Sequence, residues 1–134
     1  MTDAQTYAWI FLTVRETPTS LKDVIATADG INHAIPMLEE LQTSFGWLQA
    51  QGLVRKEGKE GRNYLLTEAG AALAKSVSHK RYIFDQWDAI KAKFSQMPNV
   101  AVQPDDISEA EWRSACRAWN KQAREIIRKL NGKK

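Results

Sequence analysis

Four basic side chains fall within eight residues, at Arg55, Lys56, Lys59 and Arg62, a density that suits an anion-binding surface. Cations of this kind neutralise phosphates, and phosphate contacts dominate the affinity of proteins for nucleic acid. Glu57 and Glu60 dilute the set, so the same stretch also reads as a solvated turn. A second set, Arg113, Arg117, Lys121, Arg124 and Arg128, spreads over about 80° of one helix face. That stripe suits nucleic acid, an acidic protein or an anionic membrane surface, and equally the outer face of a packing helix. Trp112 and Trp119 lie on the opposite side, where aromatics either stack on a ligand or fill a core.

Catalysis has little to draw on. Cys116 falls on an apolar face, where a thiol behaves as a small hydrophobe. His33 and His79 have no acid or nucleophile nearby in sequence, and one Cys with two separated His predicts no metal site. Gly58-Lys59-Glu60-Gly61 lacks the Gly-x-x-x-x-Gly-Lys-Ser/Thr spacing that cradles phosphates. Glu39 and Glu40 are adjacent, diverge by about 100° on a helix and form no carboxylate pair. These residues predict a binding protein without a cofactor, and not an enzyme.

The elements that must position the cations follow from periodicity. Thr2 and Gln5 predict a capped first helix, with Ala4, Tyr7, Ala8, Phe11 and Leu12 on its buried face and Pro18 closing the segment. Ser20 caps a second helix, which buries Leu21, Val24, Ile25, Ala28 and Ile31 and ends between Gly30 and His33. A third follows Pro36 and buries Leu38, Leu41, Phe45 and Leu48; Glu39, Thr43, Gly46 and Ala50 face outward, with Glu40 and Trp47 at one edge. Gly52 ends it. Residues 53–57 and 62–66 then read as strands of a hairpin. Thr67 caps a further helical stretch carrying Leu73, Val77, Phe84, Trp87, Ile90 and Phe94, with a break near residues 76–79. Residues 98–106 form a connector. The final helix opens on the capping pair Ser108 and Glu111, with Trp112, Ala115, Cys116, Trp119, Ala123, Ile126, Ile127 and Leu130 on one face.

The 134 residues suit a single cooperative unit, and 43% apolar with 26% charged residues is a globular composition. Residues 1–50 carry two basic and six acidic side chains, residues 51–94 nine and five, and residues 95–134 eight and five. The negative first stretch and positive remainder point to an acidic partner or to a solvated surface. No apolar run approaches the ~18 residues of a membrane span, and no basic leader precedes an apolar stretch, so a cytoplasmic protein is expected.

Three helices followed by a hairpin resemble the winged helix-turn-helix superfamily. Residues 48–55, Leu-Gln-Ala-Gln-Gly-Leu-Val-Arg, and 61–70, Gly-Arg-Asn-Tyr-Leu-Leu-Thr-Glu-Ala-Gly, are similar to the helix end, wing and next helix of MarR-like and PadR-like bacterial regulators. Asn32-His33-Ala34-Ile35-Pro36 with Glu39-Glu40-Leu41 resembles a group of small uncharacterised bacterial winged-helix proteins. The resemblance covers residues 5–75 and implies a mainly helical winged-helix domain over 1–75, with 76–134 as a helical extension for packing or dimerisation. It further implies double-stranded DNA as partner, and a bacterial transcriptional regulator. Glu39, Glu40, Gln42, Thr43, Gly46 and Trp47 would then face the groove, and Arg55, Lys56, Lys59 and Arg62 the adjacent backbone. No Lys or Arg occurs from Asp23 to Val54, so the reading helix brings no cation of its own. The alternative is a winged helix that contacts protein and not DNA. A homodimer is expected, because the stripes holding Trp87, Trp112 and Trp119 exceed what a core of this size can hide.

Overall fold

The computed structural model describes residues 1–58, 61–98 and 100–132. In chain order the elements are α1 (Asp3–Phe11), β1 (Thr19–Ser20), α2 (Leu21–Asn32), α3 (Leu38–Ala50), β2 (Val54–Glu57), β3 (Asn63–Leu66), α4 (Glu68–Val77), α5 (Ile83–Ser95) and α6 (Glu109–Asn131). Among the described residues the protein is therefore mainly helical, with one three-stranded antiparallel sheet in the order β1-β3-β2.

The helix starts are where the capping residues put them. Thr2, Ser20, Thr67 and Ser108 each accept a hydrogen bond from an amide of the first turn, and at Thr2 and Ser108 the Gln5 and Glu111 side chains reach back reciprocally. These contacts satisfy donors that a helix start otherwise leaves unpaired. α2 ends at His33, held in the left-handed region at φ 54°. The stretch that reads as a fourth helix, with room for an interruption near residues 76–79, is two helices, since α4 stops at Val77 and α5 begins at Ile83.

Two departures have clear causes. Pro18 does not merely close a segment: the next two residues form β1, with Thr19 opposite Tyr64 and Ser20 opposite Asn63. Two residues are too few to show a strand period. α1 buries Trp9 and Ile10 besides the expected Ala8 and Phe11, because α3 and α5 both pack on it and α2 closes a further side.

The tryptophans tie the second half of the chain to the first. Trp9 Nε1 donates to the Ala28 carbonyl at 3.0 Å, joining α1 to α2, and Trp87 Nε1 donates to the Gln5 carbonyl at 2.8 Å, joining α5 to α1. On α6, Trp112 Nε1 donates to the Pro36 carbonyl and Trp119 Nε1 to an Asp29 carboxylate oxygen, both at 3.0 Å. Trp87, Trp112 and Trp119 were expected to exceed the core; instead they pack back on α1 and α2, each with its N–H satisfied. Trp87, Ile90, Phe94, Ile107 and Ala115 belong to the same core as α1, α2 and α3, so α5, residues 102–107 and the first half of α6 complete the packing of residues 1–75.

Candidate functional site

The hairpin and α3 meet where Tyr64, on β3, stacks flat on Phe45, with ring centroids 3.7 Å apart and planes within 6°. Arg62, just before β3, and Lys56, on β2, extend from this platform. Residues 102–107 run over the outer face of α3 and bring Asp105 and Asp106 to the two cations.

Asp105 is the centre. Its side chain has no exposed surface, and its Oδ1 accepts from Arg62 Nη1 at 2.9 Å and from the Tyr64 hydroxyl at 3.1 Å. Its Oδ2 accepts from Gln49 Nε2 at 2.7 Å and lies 3.6 Å from Lys56 Nζ. Asp106 Oδ1 takes Lys56 Nζ at 2.8 Å and Arg62 Nη1 at 2.7 Å. Glu111, in the first turn of α6, accepts from Arg62 Nε and Nη2 at 2.9 and 3.0 Å, the paired geometry that a planar guanidinium favours. Three carboxylates thus occupy the donors of one guanidinium.

Proton affinities shift accordingly. Hydrogen bonds from Lys56 first, and then from Arg62, hold the Asp106 carboxyl well below the usual carboxylate range. Those from Arg62, followed by the Ser108 amide, bring Glu111 down to about 2. The Glu111 hydrogen bond raises Arg62 above its ordinary value despite the opposing effect of burial. Burial first, and then the Asp105 charge, push the Tyr64 hydroxyl well above that of an ordinary phenol. Burial likewise raises the Cys116 thiol above its ordinary value.

The positions expected to face DNA are distributed differently from the expectation. Arg62 is largely covered and Lys56 partly so, both spent on internal carboxylates, because the connector supplies the anions that an open wing would seek outside. Arg55 is exposed. Lys59 lies outside the described residues. On α3, Gln42 is turned inward: its carbonyl accepts from the Asp105 amide at 2.8 Å, and its side chain donates to the Ile107 carbonyl at 2.8 Å. Trp47, expected at an exposed edge, is only 5% exposed, stacked on Tyr7 at 4.7 Å and edge-on to Phe94. Gly46, expected outward, is buried beneath the Gln103 carbonyl, and a Cβ there would collide with that oxygen. Glu39 remains exposed, Thr43 is half-buried, and Glu40 accepts from the Met37 amide at 2.9 Å.

Sequence reading missed Asp105, Asp106, Glu111, Gln49 and Tyr64 as one cluster. A usable signal was present in the acidic pair following Pro104, the only adjacent aspartates in the chain, with Glu111 close behind. Among the described residues no group of His, Cys, Asp and Glu could hold a metal ion, and no helix is long and apolar enough to cross a membrane. No family model, curated protein or solved structure matches the chain.

Proposed function

We propose that this chain is a winged-helix module that works by associating with protein, in the first place a second copy of itself, and not by laying α3 in a DNA groove. The order helix, strand, helix, helix, strand, strand, with β1 and β2 flanking β3, supports the winged-helix reading. The observation that carries the mode of action is the closure of α3. For that helix to enter a groove, residues 102–107 would have to lift from Gly46 and Gln42, leaving the Asp105 cluster without partners.

Surface for association lies at the end of α6. The helix runs along α2 as far as Gln122, which accepts from Lys22 Nζ at 2.8 Å. Beyond it, Ile126, Ile127 and Leu130 are 45%, 57% and 64% exposed on the same stripe as Trp112 and Trp119. Two such ends packed antiparallel about Ile127 place Glu125 of one copy on the same flank as Lys129 of the partner subunit, a complementary pairing. The patch is small, so association is weak and concentration-dependent.

A second reading, a DNA-binding bacterial regulator, is favoured by a different observation. Arg117, Lys121, Arg124 and Arg128 are exposed along one side of α6, bordered by the single carboxylate Glu125, and Arg55 is exposed on the hairpin. Light scattering across about 10–100 μM protein, beside fluorescence anisotropy on a long duplex at about 50 and 200 mM salt, separates the two. We expect a dimer that forms with concentration and is lost in Leu130→Glu, with no duplex binding that depends on Arg55 or Arg62. A strict monomer at the top concentration overturns the first reading. Salt-dependent binding lost in Arg55→Ala restores the wing to DNA, and binding lost only on replacing Arg117 and Arg124 assigns DNA to α6.

A further inference from the structure

Two adjoining cavities open where the start of α1 meets α3 and the end of α5, and they share Asp3 and Tyr7. The first, about 320 Å³, is walled by Tyr7, Trp47 and Phe94. The second, about 280 Å³, is bordered by Asp3, Glu39, Glu40 and Ser44. One end is therefore aromatic and the other acidic. These sizes lie at the lower limit of small-molecule pockets.

The side-chain charge around them has one sign, the terminal ammonium of Met1 at the second cavity being the one opposing group. No Lys or Arg occurs in residues 1–14 or 24–54, which supply both α1 and α3. The last turn of α5 does carry Lys93, but its ammonium donates to Ser76 Oγ at 3.1 Å, toward α4. Phe94 and Ser95 bring the carbonyl end of α5 to the first cavity, adding the negative end of a helix dipole. The opposing positive end of α1 is offset by Asp3, and its Gln5 amide is capped by Thr2. The Asp3 charge reaches across the shared wall, where, after burial, it is the second cause holding the Tyr7 hydroxyl above its ordinary value. Met1 also lines the second cavity.

An independent sign of a missing partner comes from Ser44. Its hydroxyl is the one buried side-chain polar atom among the described residues without a hydrogen bond, and Ser44 lies on the wall of the acidic cavity. Burying a hydroxyl unpaired is costly, so a donor or acceptor brought by a ligand would relieve it.

We propose that the paired cavities bind a small organic ammonium ion, its nitrogen among Asp3, Glu39 and Ser44 and its apolar body against Tyr7, Trp47 and Phe94. The carboxylates set the sign of the charge accepted, and the aromatic wall takes up the apolar body. Glu40 is already engaged with the Met37 amide and plays the lesser part.

The test is calorimetric titration of the full chain at neutral pH and low salt with phenethylamine and with 2-phenylethanol, which differ in charge but share the aromatic body. The expected result is a Kd below about 1 mM for the amine and binding at least about tenfold weaker for the alcohol. Asp3→Asn combined with Glu39→Gln, both at exposed positions that leave the fold intact, should bring the amine down to the alcohol. Ser44→Ala removes only the unpaired hydroxyl, so it should raise the Tm of the free protein while weakening the amine. Absence of amine binding up to about 10 mM, equal binding of the two probes, or an amine affinity unchanged in the double variant overturns the proposal.

Discussion

Arg62 Nη1 lies 2.9 Å from a carboxylate oxygen of Asp105, a fully covered side chain forty-three residues further along the chain. Removing that carboxylate leaves Arg62 with Asp106 and Glu111 as its remaining carboxylates, deprives the Tyr64 hydroxyl of its acceptor, and leaves the Gln49 amide only the Phe45 carbonyl. Asp105→Ala should therefore destabilise the protein by about 3 kcal/mol, at the low end for breaking a buried pair because two carboxylates remain on the guanidinium. Urea unfolding measures it, and Asp105→Asn, which keeps one acceptor oxygen, should cost less.

Tyr64→Phe isolates one hydroxyl of the same cluster. The stack on Phe45 survives while the bond donated to Asp105 and the long one accepted from Arg62 at 3.5 Å are lost, so the cost should be about 1–2 kcal/mol in the same unfolding assay. A cost near zero would mean that the hydroxyl contributes nothing to holding Asp105.

Gly46→Ala tests the contact between the connector and α3. The added methyl meets the Gln103 carbonyl, so residues 102–105 must move, at about 1–3 kcal/mol. An alanine in an open helix interior would be stabilising instead, so the sign of the change in Tm decides whether this face is covered.

Acid should weaken the protein over a defined window. Glu111 has a folded value of about 2 against an ordinary 4.5, so its contribution is present above about pH 4.5 and is lost as the pH falls toward 2. Asp106, shifted in the same direction, adds to the loss at the acid end. Unfolding followed by circular dichroism between pH 6 and 2 should show this decline, and Glu111→Gln should flatten it, since that variant has no proton to take up.

Sequence alone locates the local features because they are local. Caps at Thr2, Ser20, Thr67 and Ser108 need only side chains three residues away, and the hairpin strands lie within one residue of their expected bounds. What escapes is decided by partners distant in the chain. Gly46 and Trp47 read as outward on a helical wheel because α3 shows a single apolar stripe, yet residues 102–107 cover one side and α1 and α5 the other. The hairpin cations were legible as a cluster, whereas the neutralisation of Lys56 and Arg62 depends on carboxylates more than forty residues away, which no period encodes.

The closure of α3 has a consequence for the order of folding on the ribosome. Residues 1–75 emerge with Arg62 and Lys56 unpaired and the Gly46 face bare, while the segment that covers them is still inside the ribosome. Contacts from Asp105 to Gln42, Gln49, Arg62 and Tyr64 join distant stretches of chain and form late, after their loops have closed. The nascent chain thus passes through a stage with an open basic hairpin, when it is most prone to capture by polyanions, and the last third of the protein ends that exposure.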